Sequence, residues 1–327
     1  DRVLSEPHVR DKPARTLDPV NALCDMVATL PYALADADDR LICLHSAGVQ
    51  LGNRLFVFPN IRRAGQSTLS GALAMSGHPV FGDDVLPTSF DSDGHAYGQA
   101  MGIAPRLRLP VPESLAPEFR AWVDRTPGPQ NAQYKYLTLD TQPGRGTTLR
   151  IGGFVVLDRQ DDPCAAQLTP VTADDAMSAL LHQNFTRDRH SADIVVAMAA
   201  ILSAEPCFRL TYYDLLDAVA CLETAFVTDP PGSETPPSGL THFRMADFAS
   251  RVPVKLRPGA ALHRRAGCVE QMIGDTLYLS DPEGRAIRRM DPLAAAIWGV
   301  LEEPASVPDL ESLLIEAFPD EPRDRIA

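Results

Sequence analysis

Residues 59–68 read Pro-Asn-Ile-Arg-Arg-Ala-Gly-Gln-Ser-Thr (PNIRRAGQST), between the apolar run Arg54–Phe58 (RLFVF) and the small-residue run Ser67–Ser76 (STLSGALAMS). A phosphate loop of the form GxxxxGK[ST] works by pointing backbone N–H groups inward ahead of a helix whose N-terminus carries partial positive charge. Its lysine reaches the terminal phosphates and its Ser/Thr hydroxyl takes magnesium. Here Gly65 and Ser67 stand at the second-glycine and hydroxyl positions, Asn60 at the first glycine and Gln66 at the lysine. Asn tolerates a left-handed backbone, so Asn60 preserves the turn. Gln66 can donate a hydrogen bond but brings no charge. Taken alone, the stretch is equally a strand–turn–helix corner without a ligand.

The flanks add acids. Leu41–His45 (LICLH) and Arg54–Phe58 read as strands joined through the turn-forming Leu51-Gly52-Asn53, and Ser67–Ser76 reads as a buried helix closed by Gly77-His78-Pro79. Val80–Val85 (VFGDDV) follows as a strand ending in Asp83-Asp84. Paired carboxylates there are costly unless solvated, bound to a cation or sharing a proton. Leu149–Leu157 (LRIGGFVVL) is a further strand, and Ala173–Asn184 and Ala192–Ala204 have helical apolar spacing. Strands alternating with helices indicate an α/β body around a mostly central sheet. The Pro/Gly/Ser-rich segment 229–240 (DPPGSETPPSGL) separates a body, 1–228, from a tail, 241–327. In the tail, two extended runs within Cys268–Arg289 flank the turn signal Ser280–Gly284. Helices Pro292–Leu301 and Val307–Phe318 follow, a small winged-helix-like arrangement.

Composition narrows the function classes. The chain has 327 residues, 45% hydrophobic and 22% charged, with a net charge of −13. That balance argues against a nucleic-acid surface. No apolar stretch reaches the roughly 18–20 residues of a membrane helix, and the first residues show no signal-peptide pattern. A cytoplasmic protein is the expectation, with Cys24, Cys43, Cys164, Cys207, Cys221 and Cys268 as reduced thiols. Lysine occurs only at positions 12, 135 and 255, and the other strongly basic side chains are arginines.

The run LHSAGVQLGNRLFVFPNIRRAGQSTLSGALAMSGHPVFGDDVLP resembles the P-loop core of the HPr kinase/phosphorylase superfamily, and more narrowly the HPr-kinase-related serine kinases found near peptide-modification genes. The likeness continues through GIAPRLRLP, LRIGGFVVLDR, LTPVTADDAMSALL and CFRLTYYDLLDAV, spanning about residues 23–224. It implies ATP and Mg2+ as ligands. Asn60, Arg62, Arg63, Gly65, Gln66, Ser67 and Thr68 would lie around the phosphates, and Ser67 and Asp84 would hold magnesium. Asp83 would orient or deprotonate an acceptor hydroxyl, with His45 beside it. Asn60, Arg63 and Gln66 depart from the family pattern. The missing lysine leaves Arg62 and Arg63 as replacement cations, with Lys135 as an outside candidate. The resemblance also implies homo-oligomers, as HPr kinases assemble into them.

The tail run GDTLYLSDPEGRAIRRMDPLAAAIWGVLEEPASVPDLESLLIEAF resembles the PqqD family of peptide chaperones, with Asp291 where asparagine is commoner and an end at Ala327 before the last helix such domains usually have. It implies capture of a precursor (leader) peptide by strand addition. Two functions follow from the combined resemblance. One is an ATP-dependent kinase acting on a hydroxyl of that peptide. The other is a pseudokinase, its loop disabled by Gln66, that serves as a peptide-binding scaffold.

Overall fold

The computed structural model describes residues 18–38, 41–59, 64–93, 95–181, 190–228 and 259–326. The chain divides into two compact units, Asp1–Arg187 with Ala200–Gly239, and Asp188–Ala199 with Leu240–Ala327.

The first unit is mixed α/β. Helix α1 (Pro19–Ala37) is capped by Asp18, whose carboxylate accepts from the N–H groups of Val20 and Asn21 at 3.0 and 3.2 Å. Strands β1 (Ile42–Leu44), β2 (Ser46–Leu51) and β3 (Arg54–Pro59) lead into α2 (Gln66–Met75). Then come β4 (Val80–Gly82), β5 (Leu86–Phe90), β6 (Ala96–Gln99), β7 (Arg106–Arg108), α3 (Pro117–Arg125) and β8 (Tyr134–Tyr136). The long β9 (Thr148–Arg159), β10 (Gln167–Pro170), α4 (Ala173–Leu181), β11 (Cys207–Tyr212) and α6 (Leu215–Glu223) complete the series, while α5 (Ser191–Ala204), between α4 and β11 in the chain, has its residues 191–199 in the second unit.

Among the described residues nine of these strands form one mixed sheet, ordered β1-β5-β6-β9-β3-β2-β4, with β11 beside β9 and β10 outside it. Strands β3, β9 and β11 run parallel and end at Pro59, Arg159 and Tyr212. Their carboxyl ends open on the side where α2 begins, the position at which open α/β sheets take ligands. Val57, Phe154, Val155, Val156 and Leu210 on these strands are buried, as expected for strands covered on both faces.

The segment 46–51, between the two expected strands, is itself a strand. Its residues Ser-Ala-Gly-Val-Gln-Leu have modest β-propensity, yet five of the six are buried and all pair with β3. Burial between β3 and β4 overrides the local preference. The acids also sit differently. Strand β4 stops at Gly82, and Asp83-Asp84 form a tight turn into β5. A Cβ on Gly82 would come within 2.4 Å of the Val85 carbonyl oxygen, so only glycine allows that turn.

In the second unit, β13 (Val269–Ile273), β14 (Thr276–Ser280) and β15 (Ile287–Arg289) form a three-stranded antiparallel sheet, introduced by a short β12 (Ala261–Leu262). The run VEQMIGDTLYL is itself a hairpin, turning at Gly274 (φ +55°) and Asp275. Helix α7 (Pro292–Val300) is capped by Asp291. Strand β16 (Ala305–Ser306) pairs with β12, and α8 (Val307–Ala317) starts on a capping box between Ser306 and Asp309. A last turn, α9 (Arg323–Ile326), ends the described chain. The linker 229–240 lies outside the described residues.

Candidate active site

The start of α2 is built to be open. Gly65 is its N-cap in a left-handed conformation (φ +85°, ψ +18°), and among the described residues no side chain caps its first N–H groups. Glycine is required twice over. The dihedral disfavours any other residue, and a Cβ would lie 2.9 Å from the Tyr212 hydroxyl. That hydroxyl, at the end of β11, donates to the Ala64 carbonyl at 2.7 Å and pins the last residue before the cap. Burial pushes the Tyr212 hydroxyl up to about 12, with the positive charge of Arg159 pulling the other way.

Gln66 is turned away from the cap. Its side-chain amide donates to the Asp83 main-chain carbonyl, and its Oε1 is buried without a hydrogen bond. The residue at the lysine position therefore ties the helix to the acid turn. Ser67 and Thr68 follow in the first turn, both half-buried. Asn60, Arg62 and Arg63 lie outside the described residues.

The two acids differ sharply. Asp83 is 2% exposed; its Oδ2 accepts the Arg106 backbone N–H at 3.0 Å, while Oδ1 is buried without a hydrogen bond. Burial pushes its carboxyl up to about 7, and the Asp84 charge adds to that. The Arg106 N–H, the Ser67 hydroxyl and the Arg106 charge pull it down. Burial also opposes ionisation of Asp84, but His45 and Arg106 outweigh it and hold this carboxyl below the usual range. Arg106 Nη2 stands 3.0 Å from Asp84 Oδ2, and His45 Nε2 stands 3.6 Å from Asp84 Oδ1. The Arg106 guanidinium is stacked over Tyr134, 4.9 Å from the ring centroid. His45 occupies the bend between β1 and β2, and the next residue, Ser46, has a fully buried hydroxyl without a hydrogen bond.

The described expected residues thus converge: Gly65, Gln66, Ser67, Asp83, Asp84 and His45 share one end of the sheet. Ser67 lies on Asp83, whereas Asp84 is taken up by His45 and Arg106. Lys135 lies elsewhere: its buried Nζ donates to the carbonyls of Val123 and Asp124, at 2.7 and 3.1 Å, at the end of α3. Sequence reasoning missed Arg106 as a site residue, although it sits in the quoted GIAPRLRLP. A lone arginine in a short strand gives no sign of its partner 22 positions earlier.

The polar atoms suit a charged ligand. Among the described residues, three buried oxygens, on Ser46, Gln66 and Asp83, are unpartnered around an uncapped helix start, and a buried polar group without a partner ordinarily costs about 1–3 kcal/mol. Donors at the helix and a neighbouring acid pair fit an anion accompanied by a divalent cation.

No protein-family model matches the chain, and no curated protein matches it significantly. Among solved structures it is similar to the Hpr(Ser) kinase/phosphatase of Coxiella burnetii, with 11% identity and a TM-score of 0.29 over 56% of this chain and 94% of that one. A TM-score of that size leaves the residues themselves to carry the chemistry.

Proposed function

We propose that the first unit binds a magnesium–nucleoside triphosphate at the start of α2 and transfers its terminal phosphoryl group to a hydroxyl of a peptide captured by the second unit. The observation that carries this reading is the juxtaposition of the uncapped helix start with Asp83, a buried carboxyl that interacts with Ser67 of the first turn and keeps one oxygen without a hydrogen bond. The amides of residues 65–68 would cradle phosphate oxygens. Ser67 and Asp84 would hold magnesium, Asp84 being the acid kept ionised by His45 and Arg106. Asp83, with its proton poised near neutrality, would take the proton of the acceptor hydroxyl. When bound, the magnesium–triphosphate supplies the phosphoryl group and neutralises charge around it.

The peptide would add to an outer strand of the β13-β14-β15 sheet, where backbone groups face outward. Strand β13 exposes Glu270 and Met272, and β15 exposes Arg288 and Arg289. A second reading, the peptide-binding scaffold, is favoured by one observation: Gln66 spends its amide on the Asp83 carbonyl rather than facing a ligand.

Calorimetry with Mg-ATP, then mass spectrometry of a hydroxyl-bearing precursor peptide co-expressed with the chain and incubated with Mg-ATP, tests the choice. The kinase reading expects measurable heat, a mass gain of one phosphoryl group, and a loss of roughly 100-fold or more in rate for Asp83→Asn. An absence of Mg-ATP binding rejects it and leaves the scaffold, for which Asp83→Asn should bind the peptide as the wild type does.

A further inference from the structure

The proposed site lacks the charge a phosphate loop usually presents, and the described cations around it are mostly committed. Lys135 is buried at the end of α3. Arg106 is paired with Asp84 and stacked on Tyr134. Arg159 differs. It is the last residue of β9, exposed, with no ion-pair partner among the described residues. Its side chain leans over the helix cap: Cδ lies 3.9 Å from where a Cβ on Gly65 would stand, and its charge is felt by the Tyr212 hydroxyl that pins Ala64.

We propose that Arg159 is the phosphate-binding cation of this site, reaching from the end of β9 over Gly65 to the terminal phosphates and replacing the charge absent at Gln66. The inference rests on the nucleotide reading above and adds where the charge comes from. The loop residue at the lysine position could turn inward and become part of the scaffold because the neighbouring parallel strand carries the charge at its tip. An arginine is suited to this role, since its planar fork can bind two phosphate oxygens at once and stays charged at all working pH. The ligand selected is then a nucleotide with a terminal polyphosphate rather than a nucleoside or monophosphate, because Arg159 lies at the cap, where the phosphates would end.

Isothermal titration of the full chain with Mg-ATP, AMP and inorganic triphosphate, for wild type, Arg159→Gln and Arg159→Lys, tests this. Arg159→Gln is expected to bind Mg-ATP and triphosphate roughly ten- to hundred-fold more weakly, while its AMP affinity and thermal midpoint stay at wild-type values. Arg159→Lys should recover most of the loss. Wild-type affinity for Mg-ATP in Arg159→Gln overturns the assignment of Arg159 while leaving the nucleotide site standing. An equal fall for AMP and Mg-ATP also overturns it, since a contact to terminal phosphates cannot weaken a monophosphate. No binding of Mg-ATP or triphosphate by the wild type overturns the nucleotide reading itself and this inference with it.

Discussion

A carboxyl buried without a cation pays for its charge, and Asp83 avoids that cost by keeping its proton up to about 7. Unfolded, the same group would release it near 3.8. Across that window the folded chain binds more protons than the unfolded one, so this contribution to stability is complete below 3.8 and is lost as pH rises through about 7. Asp84 has the opposite sign: its lowered carboxyl stabilises above the ordinary value and loses that effect as pH falls. Asp83→Asn keeps an acceptor for the Arg106 N–H and removes the titration. Urea unfolding of the metal-free protein at pH values from about 5 to about 8 should therefore show the variant gaining on the wild type as pH rises. Parallel curves would mean that Asp83 is already ionised throughout. The acid pair was visible in the sequence as Asp-Asp; its asymmetry was not, because it depends on Arg106 in β7 and His45 in a bend, which no local pattern connects.

Among the elements, β7 and β8 show how the site is braced from outside. Arg106 begins β7, whose Leu107 pairs with Lys135 of β8, and Lys135 closes the end of α3 through the carbonyls of Val123 and Asp124. The route from helix end to guanidinium is therefore short and wholly buried at Leu107, Val123 and Lys135. Lys135→Met keeps the length of the side chain and drops both hydrogen bonds. It should cost about 1–3 kcal/mol in denaturant unfolding, since the buried Val123 carbonyl and the part-buried Asp124 carbonyl lose their donor. A variant as stable as the wild type would show that water takes the place of Nζ. The long elements could be read in advance: the ends of β3, α2, β9 and α5 lie within a residue or two of the expected bounds, β9 being longer by Thr148 at its start and by Asp158 and Arg159 at its end. β2 and α3, with mixed side chains, were not read in advance. β2 is held by pairing on both sides, and α3 is short, with only two fully buried apolar side chains in nine residues.

At the scale of the molecule, a net charge of −13 must coexist with a site that would receive a polyphosphate and a peptide. Long-range attraction of a polyphosphate is therefore weak, and its affinity has to come from local donors: the start of α2, Arg159 and a divalent cation. No described helix is long and apolar enough to cross a membrane. The two units also divide the chemistry, because every described residue of the acid site lies in the first and the open three-stranded sheet lies in the second. That division gives separate ligand footprints. In hydrogen exchange of the full chain, Mg-ATP should slow amides in residues 64–70, 83–86 and 106–108, where donors face the ligand or depend on the Asp83 carboxyl. The precursor peptide should slow amides of β13 or β15, because strand addition pairs one outer edge and leaves the other unchanged. Slowing confined to the second unit with peptide, and none anywhere with Mg-ATP, selects the scaffold. Peptide protection on neither outer strand would remove strand addition as the mode of capture, since no other described feature of that sheet offers a row of backbone donors and acceptors.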